Sequence, residues 1–407
     1  MSGDPAARLL DITRLVSRVG LGPLTGVDRI EAAYLTALRA EPVPLYLLCR
    51  TGYGFLLLPG AAGEFLLAGL SAPDTLPRAS WFDRLRGRGG PRARLEAGLR
   101  ARALARAPHA RLTALIARHL PRPAIYLNVG QTTVRPDTLA RLKRVPGLRI
   151  TVMVHDTIPL DFPQFARAGE PERFRAALAA TLAHADLVIC NSAATGADVR
   201  RHAQGRLPRL LTAYPGIELA APDPAQIPAD LDLMPQYFVT LGTIEPRKNH
   251  ALLLDVWEDI LRDMPEAQAP RLLILGRRGW RNEEVFARLD SAPYMGRVVH
   301  ELPGLPDAAV SALLAGARGL LMPSRAEGFG LPYLEAAAAG IAVIAAPLPA
   351  AKEILGQAGI YADPDDRYLW RGEILRLAHE KTPVQDNPWA VTIPTWAAHF
   401  KTVLTAT

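Results

Sequence analysis

Short apolar runs alternate regularly with helical patterns across the C-terminal half of this chain, and this alternation restricts the choice of folds strongly. The runs are continuously apolar, as expected of strands that are covered on both faces. Such alternation predicts an α/β fold with a doubly wound parallel sheet. The predicted strands are residues 237–241, 272–275, 298–302, 319–322, 341–345 and 360–362. The predicted helices are residues 249–262, 282–289, 307–315, 331–339 and 349–355.

The N-terminal half shows the same alternation less regularly, which predicts a second doubly wound domain. Its predicted strands are residues 9–12, 45–49, 55–58, 125–128, 150–154 and 187–190. Its predicted helices are residues 27–38, 137–143, 171–184 and 192–202, the last capped by Ser192.

A proline-rich stretch without periodicity, residues 214–236, separates the two halves and predicts a linker. We therefore expect an N-terminal domain at residues 1–213 and a C-terminal domain at residues 237–390. Residues 391–407 are expected to form a terminal helix that packs back toward the N-terminal domain. Two such sheets leave a cleft between their strand ends, which is the usual ligand position in these folds.

The 407 residues are enough for two domains that each bury a core. Cys49 and Cys190 are the two cysteines, and neither a CxxC motif nor a His-rich tract occurs, so neither a zinc site nor a disulfide framework is expected. The first residues lack the apolar core of a secretory signal, and no run of 18 apolar residues is present. These properties predict a cytoplasmic protein.

Positive charge is concentrated in one segment, residues 78–122, which we expect to be an insertion between strands. It holds twelve Arg against one Asp and one Glu, whereas the whole chain carries a net charge of +7. Leucines interleave with the arginines, so the segment can lie on an anionic membrane surface, on the inner face of the cytoplasmic membrane. The alternative is a solvated surface helix. Nucleic-acid binding is not expected, because no aromatic stacking pattern accompanies the charge.

Two carboxylates eight positions apart, Glu327 and Glu335, mark the candidate site. Glu327 opens a loop with Gly328, Phe329 and Gly330, and Glu335 lies about one turn into the helix predicted from Leu331. The strand, loop and helix N-terminus form an anion cradle of free N–H groups. A carboxylate on such a cradle would repel phosphate, so we expect it to bind hydroxyls that lie beside the phosphate. A nucleotide sugar is a ligand that presents hydroxyls beside phosphates, and it is therefore the predicted ligand.

A second group of candidate site residues follows the first strand of the C-terminal half, in the sequence LGTIEPRKN at residues 241–249. Gly242 allows close approach of the backbone, and Thr243 follows it. Arg247 and Lys248 supply two cations beside a helix N-terminus. Arginine clamps phosphate oxygens in bidentate fashion and lysine adds a point charge, so this strand end is predicted to bind phosphate.

The combination of GTIEPRKN, LILGRRGW, MPS and the Glu-x7-Glu spacing resembles the retaining glycosyltransferases of family 4 over residues 237–364. The resemblance implies a GT-B fold, in which two Rossmann-like domains face each other across a cleft. In that family, residues matching Arg247 and Lys248 hold the donor pyrophosphate. The match to Glu327 contacts sugar hydroxyls, and the match to Glu335 holds the ribose.

The same resemblance implies roles for several backbone positions. Gly328, Phe329, Gly330 and Leu331 would meet the sugar or phosphate through their N–H groups. Gly276 would lie near the phosphates, and the loop at residues 302–304, which contains Pro303, near the base.

The N-terminal half resembles the family at two places. Gly26, in TGVDR, matches the loop that closes over donor and acceptor. His155 and Asp156, in HDTIP, match a segment of bacterial mannosyltransferases in which the histidine lies close to the transferred sugar. This segment and GTIEPRKN favour GDP-mannose as donor.

The implied reaction is retaining hexosyl transfer to a glycan or lipid-linked oligosaccharide acceptor, by same-face attack and without metal or cofactor. Arg247 and Lys248 could stabilise the leaving diphosphate without a metal ion. The aspartate pairs Asp230/Asp232 and Asp363/Asp365 are interpreted as structural. Asp156 is the carboxylate to test for double displacement.

Four alternatives remain at this point. The donor could be a UDP-sugar, or the chain could be a non-catalytic GT-B scaffold in a polysaccharide assembly complex. Arg247, Lys248 and Glu327 are all present, which argues against a scaffold. A sugar-nucleotide epimerase would want further His and carboxylate clusters, and a dinucleotide dehydrogenase would want an early G-x-G-x-x-G.

Overall fold

The computed structural model describes residues 4–77, 89–233, 236–380 and 389–407. Within them, the chain forms an eight-stranded sheet from its N-terminal half and a six-stranded sheet from its C-terminal half. Helices cover both faces of each sheet, and each face has its own buried core. This is the predicted pair of doubly wound α/β domains.

The six-stranded sheet is parallel throughout, in the order β11-β10-β9-β12-β13-β14. Its strands are Tyr237–Leu241 (β9), Arg271–Leu275 (β10), Val299–Glu301 (β11), Gly319–Met322 (β12), Ala342–Ala345 (β13) and Ile360–Tyr361 (β14). Each predicted strand of this half is confirmed, with its ends displaced by one residue at most. Continuous apolar runs identify such strands well because both faces are buried.

The eight-stranded sheet has the order β4-β3-β2-β1-β5-β6-β7-β8, and only its pairs β2–β3 and β3–β4 are antiparallel. Its strands are Ala7–Asp11 (β1), Leu45–Thr51 (β2), Gly54–Pro59 (β3), Ala105–Ala107 (β4), Ala124–Asn128 (β5), Leu148–Val154 (β6), Leu187–Cys190 (β7) and Arg209–Thr212 (β8). The sequence analysis missed β4 and β8. Both are short edge strands that contain arginine, and edge strands are only partly covered by apolar neighbours.

The described residues contain sixteen α-helices, here numbered in chain order. In the N-terminal half they are Thr13–Arg18 (α1), Gly26–Ala40 (α2), Ala62–Ser71 (α3), Pro91–Ala101 (α4), Leu112–His119 (α5), Pro136–Lys143 (α6), Ile158–Asp161 (α7), Glu170–His184 (α8) and Ala193–His202 (α9). In the C-terminal half they are His250–Asp263 (α10), Glu283–Ser291 (α11), Asp307–Gly316 (α12), Leu331–Ala338 (α13), Pro349–Leu355 (α14), Arg367–His379 (α15) and Trp396–Ala406 (α16).

The Arg-rich segment is not an insertion between strands, contrary to the expectation. Its residues 105–107 form β4, and its helices α4 and α5 bury Leu95, Leu99, Leu112 and Ile116 completely. In each helix the two buried residues lie four positions apart and so share one face. Residues 78–88, which complete the segment, lie outside the described residues.

The C-terminal helix α16 lies against the N-terminal sheet. Its Phe400 and Val403 join the core cluster of that sheet, and His399 Nε2 is 2.8 Å from the hydroxyl of Tyr34 on α2. The chain therefore crosses from the second sheet back to the first at its end.

Candidate active site

Two glycines bring the loops after β9 and β10 into direct contact. Gly242 has φ of +133°, a region that side-chain-bearing residues rarely adopt. Its N–H donates to the carbonyl of Leu275 at 3.0 Å. A Cβ on Gly276 would lie 1.8 Å from the carbonyl oxygen of Gly242. Gly242 and Gly276, both predicted at the donor site, are therefore neighbours at the carboxyl edge of the sheet.

Arg247 and Lys248 lie in a single tight turn between β9 and α10. Pro246–Lys248 is a 3-10 turn, and Asn249, with φ of +55°, redirects the chain into the helix. The N–H of Arg325 donates to the carbonyl of Arg247 at 2.7 Å. This bond ties the turn to the loop after β12, which carries Glu327.

Glu327 makes ion pairs with both cations. Its Oε2 lies 2.8 Å from Arg247 Nη1, and its Oε1 lies 2.5 Å from Lys248 Nζ. Burial by itself would raise the pKa of Glu327, but the two cations outweigh it and hold the pKa at about 2. Burial lowers the pKa of Lys248 against the opposing pull of Glu327. The three groups form a buried cluster, the RKE cluster, in which Glu327 is ionised.

Two further carboxylates surround the guanidinium of Arg247. Glu245 Oε1 lies 2.6 Å from Arg247 Nε, and Asp156 comes from the other sheet. Burial raises the pKa of both carboxyls, and the charge of Arg247 opposes the shift. Sequence reasoning did not single out Glu245, although it stands in the GTIEPRKN motif two positions before Arg247.

The loop after Glu327 closes against the N-terminal sheet. The carbonyl of Gly328 accepts hydrogen bonds from Ser192 Oγ at 3.0 Å and Thr195 Oγ1 at 3.2 Å. A Cβ on Gly328 would lie 2.2 Å from the carbonyl oxygen of His155, so no larger residue fits there. Ser192, predicted as a helix cap, does accept from Thr195 N, and it also bonds across the cleft.

His155 lies at the end of β6, with its ring buried in the cleft wall. Its Nε2 is 2.6 Å from the carbonyl oxygen of Val129, so Nε2 carries the proton. Burial lowers the pKa of His155 to about 4, which leaves the imidazole neutral at pH 7. Its Nδ1 is a buried acceptor without a partner among the described residues. An unpartnered buried acceptor at this position can receive a hydrogen bond from a ligand hydroxyl.

Glu335 is held from the other domain. Arg29 of α2 donates to Glu335 Oε1 at 2.9 Å and to Asp307 Oδ1 at 2.8 Å. Burial raises the pKa of Glu335, and the charge of Arg29 opposes the shift. Gly26, at the start of the same helix, is close enough to Leu331 that a Cβ would lie 3.1 Å from its side chain. Arg29, Asp307, Leu331 and Glu335 line a cavity of about 450 Å³ between the two sheets.

The remaining predicted residues lie in the loops after β9, β11 and β12. Gly330, with φ of +87°, precedes α13 as its N-cap. Phe329 is buried and stacks on Tyr214 with ring centroids 6.2 Å apart. Thr243 is partly buried beside the glycine contact, and Pro303 is exposed in the loop after β11.

Both predicted glutamates are ion-paired. Glu327 was expected at the sugar hydroxyls of the donor, and Glu335 at its ribose. In the structure, Glu327 is bonded to both cations and Glu335 is bonded to Arg29. The sequence analysis missed Arg29, although it lies in the quoted TGVDR segment three positions after Gly26.

Glu353 is a further residue that sequence reasoning missed. Its two carboxylate oxygens accept from the N–H groups of Ala193 and Ala194, at 2.5 and 2.8 Å, at the start of α9. A carboxylate at a helix N-terminus is stabilised by the exposed N–H groups and the helix dipole. This contact joins the two sheets beside Gly328, and no local motif signals it.

The described residues contain no group of three or more His, Cys, Asp or Glu that could hold a metal ion. Asp232 pairs with Arg271 at 2.9 Å, and Asp365 pairs with Arg325 at 2.6 Å. Asp363 Oδ1 accepts from the N–H of Asp365. In the described parts of the chain, no helix has the length and apolarity that a membrane span requires.

The chain is similar in sequence to known glycosyltransferases. Residues 235–380 match the family model described as glycosyl transferases group 1. The serotype-specific mannosyltransferase WbdA of Escherichia coli is 32% identical over 226 residues, which cover 52% of this chain and 27% of WbdA. The O-antigen chain mannosyltransferase B of Escherichia coli is 33% identical over 153 residues, which cover 38% of each protein. The chain thus matches well under half the length of these relatives.

Among solved structures, the sucrose-phosphate synthase of Thermosynechococcus elongatus has a similar fold. The TM-score is 0.63 at 16% identity, over 98% of this chain and all of that one. At this identity the likeness concerns the fold alone. Residues 235–380 therefore match the glycosyl transferases group 1 model, and they form the second domain of a chain with the GT-B fold.

Proposed function

We propose that the chain is a retaining, metal-independent glycosyltransferase that moves mannose from GDP-mannose to a glycan or lipid-linked oligosaccharide in cell-surface polysaccharide synthesis. The RKE cluster carries the proposal, because it places two cations and a carboxylate at the carboxyl edge of one sheet, opposite His155 on the other. Two relatives of the chain are mannosyltransferases, one serotype-specific and one named for the O-antigen chain, which supports mannose as the transferred sugar.

The two cations suit the chemistry of the leaving group. Breaking a sugar–phosphate bond develops negative charge on the diphosphate, and preorganised cations stabilise that charge. A diphosphate bound by Arg247 and Lys248 competes with Glu327 for the same N–H donors. Release of Glu327 from one or both cations frees its carboxylate to accept hydrogen bonds from sugar hydroxyls. Donor binding would in this way change the partners of Glu327.

The residues of the opposite wall complete the proposed donor site. His155 Nδ1 would accept from a hydroxyl of the transferred sugar, since the ring is neutral and its Nε2 proton is held by Val129. Glu335 would bind the ribose after exchanging Arg29 for the two ribose hydroxyls. Retention would follow from same-face attack, in which the departing phosphate takes the proton of the acceptor hydroxyl.

Turnover of nucleotide sugars, followed by NMR, tests this function. We expect release of GDP from GDP-mannose and an α-configured mannosyl product, with UDP-sugars turned over at least about tenfold more slowly. A UDP-sugar that is the faster substrate would support the rival donor. A β-configured product would refute retention. No turnover of any nucleotide sugar would favour the alternative that the chain is a non-catalytic GT-B scaffold.

Contact with an anionic membrane is proposed separately, through the Arg-rich segment. Arg102 and Arg106 are exposed there, and Leu104 between them is 52% exposed. Exposed cations that flank an exposed leucine suit an anionic lipid surface.

Anionic liposomes should therefore retain the protein at low salt and release it at high salt, because salt screens the attraction. The double variant Arg102→Ala/Arg106→Ala should be retained less than the matched variant Arg144→Ala/Arg175→Ala, whose arginines are also exposed. Equal co-sedimentation of all proteins at every salt concentration would refute the membrane contact.

A further inference from the structure

A second cavity, of about 550 Å³, opens in the N-terminal domain at the carboxyl edge of its sheet. We call it the arginine pocket. Its walls come from the end of β2, the turn after β5, the end of β6, and the first turns of α6 and α8. The side chains that define it are Arg50, Arg135, Arg173, Val152, Val154 and Phe174. The nucleotide-sugar site described above uses none of these residues.

The pocket carries an excess of positive charge. Within the described residues, none of its three arginines makes an ion pair. The one carboxylate in the lining, Glu170, already accepts a hydrogen bond from the N–H of Arg167 at 2.9 Å. Three guanidinium groups therefore face a cavity that holds one opposing charge.

Helix geometry adds to the positive potential. Arg135 is the N-cap of α6, and Arg173 lies in the first turn of α8, so two helix N-termini border the pocket. Each N-terminus presents free N–H groups and a partial positive charge. Beside the pocket, burial lowers the pKa of His109, and the charges of Arg50 and Arg135 lower it further, against an opposing effect of Asp137. Guanidinium groups from one strand and two helix N-termini thus act on one small region.

The position of the pocket relates it to the proposed reaction. Val154 lines the pocket and is followed directly by His155. Gln131, which also lines it, stands in a left-handed conformation two residues after Val129, the acceptor of the His155 hydrogen bond. The pocket therefore borders the strand end and the turn that position His155.

We propose that the arginine pocket binds a phosphate group of the acceptor, so that the acceptor is a phosphorylated or phosphate-linked sugar. Arginine forks bind phosphate oxygens in bidentate fashion, and three of them match a group that carries up to two negative charges. The apolar wall of Val152, Val154 and Phe174 suits the non-polar face of a sugar or the start of a lipid chain. This inference rests on the proposed function, because it assigns the pocket to the acceptor of that reaction.

Binding of phosphate probes to the whole protein tests the inference. Isothermal titration in saturating GDP keeps the RKE cluster occupied, so the probes report on the arginine pocket. The probes are inorganic phosphate, mannose 1-phosphate, and a polyprenyl phosphate in detergent micelles. Arg135→Ala/Arg173→Ala should weaken binding of the phosphate probes by at least about tenfold, since hydrogen bonds to charged groups are the strong ones.

The chain offers a matched control for this variant. Arg144 lies at the other end of α6 from Arg135, and Arg175 lies two positions after Arg173 on α8; both are exposed and outside the pocket. Arg144→Ala/Arg175→Ala removes the same charge and should bind the probes as the unaltered protein does. Equal Kd values for the two double variants, or no binding of any probe by the unaltered protein, would overturn the inference.

The probes also separate the two sources of phosphate. A lower Kd for polyprenyl phosphate than for mannose 1-phosphate would support a lipid-linked acceptor, and equal values would support a soluble sugar phosphate. Failure of GDP to bind would count against the proposed donor alone. In that case the same titrations, repeated without nucleotide in the Lys248→Ala background, still compare the two double variants.

Discussion

Lys248→Ala is expected to lower kcat/KM for the donor by about 1,000-fold, a loss of about 4 kcal/mol of transition-state stabilisation. The ammonium group is buried and bonded to Glu327, at the end of a turn held in place by backbone bonds. A preorganised cation in such a site stabilises the developing charge of the diphosphate without reorganisation. Steady-state release of nucleoside diphosphate measures the effect.

The fold should survive this change. Glu327 keeps its ion pair with Arg247 at 2.8 Å, so no buried carboxylate is left alone. Lys352→Ala is the matched control, because Lys352 is exposed on α14 of the same domain. We expect unchanged circular dichroism for both variants and a normal rate for the control. A near-normal rate for Lys248→Ala would show that Lys248 does not hold the donor pyrophosphate.

Glu327→Gln is expected to lower turnover without weakening nucleotide binding, whereas Glu335→Gln is expected to weaken nucleotide binding with little loss of turnover. Glu327→Gln removes the charge that occupies Arg247 and Lys248, so GDP should bind at least as tightly as before. Its kcat should fall by about 100-fold or more, because an amide is a weaker acceptor for the sugar hydroxyls as charge develops. Both variants keep the shape of the side chain.

Glu335→Gln should instead raise the Kd for GDP by about tenfold, since a charge-assisted bond to the ribose is replaced by a neutral one. Its kcat at saturating donor should stay within a few-fold of normal. Titration of GDP and steady-state rates on both variants separate the two roles. Equal losses of affinity and rate in the two variants would show that the proposed division of labour is wrong.

The strands and loops that carry the candidate site could be predicted from the sequence, because they depend on local sequence patterns. Buried strands such as Gly319–Met322 are continuous apolar runs, and the residues that follow them must reach the carboxyl edge of a parallel sheet. Arg247, Lys248 and Glu327 each follow such a strand, so their proximity could be inferred. Short edge strands such as Ala105–Ala107 could not be recognised, since an arginine stands at the centre of a three-residue run.

Contacts between the two sheets could not be predicted from the sequence. Arg29 and Glu335 are 306 positions apart, and Glu353 caps a helix that begins 160 positions earlier. Such pairs depend on how two separately stabilised sheets are placed against each other, which no periodicity encodes. The arginine pocket is missed for a different reason, which lies within one domain. Its three arginines come from separate elements of one sheet and its helices, and each looks like an ordinary surface residue in the sequence.

A thermal-shift comparison of GDP, UDP and ADP tests most directly whether the cleft is a nucleoside diphosphate site. Ligands that bind the folded state raise its melting temperature by mass action. We predict that GDP at a fixed concentration raises the melting temperature more than UDP or ADP does, and that Lys248→Ala abolishes most of this shift while Lys352→Ala keeps it. No shift with any of the three nucleotides, or an undiminished shift in Lys248→Ala, would contradict the proposed site.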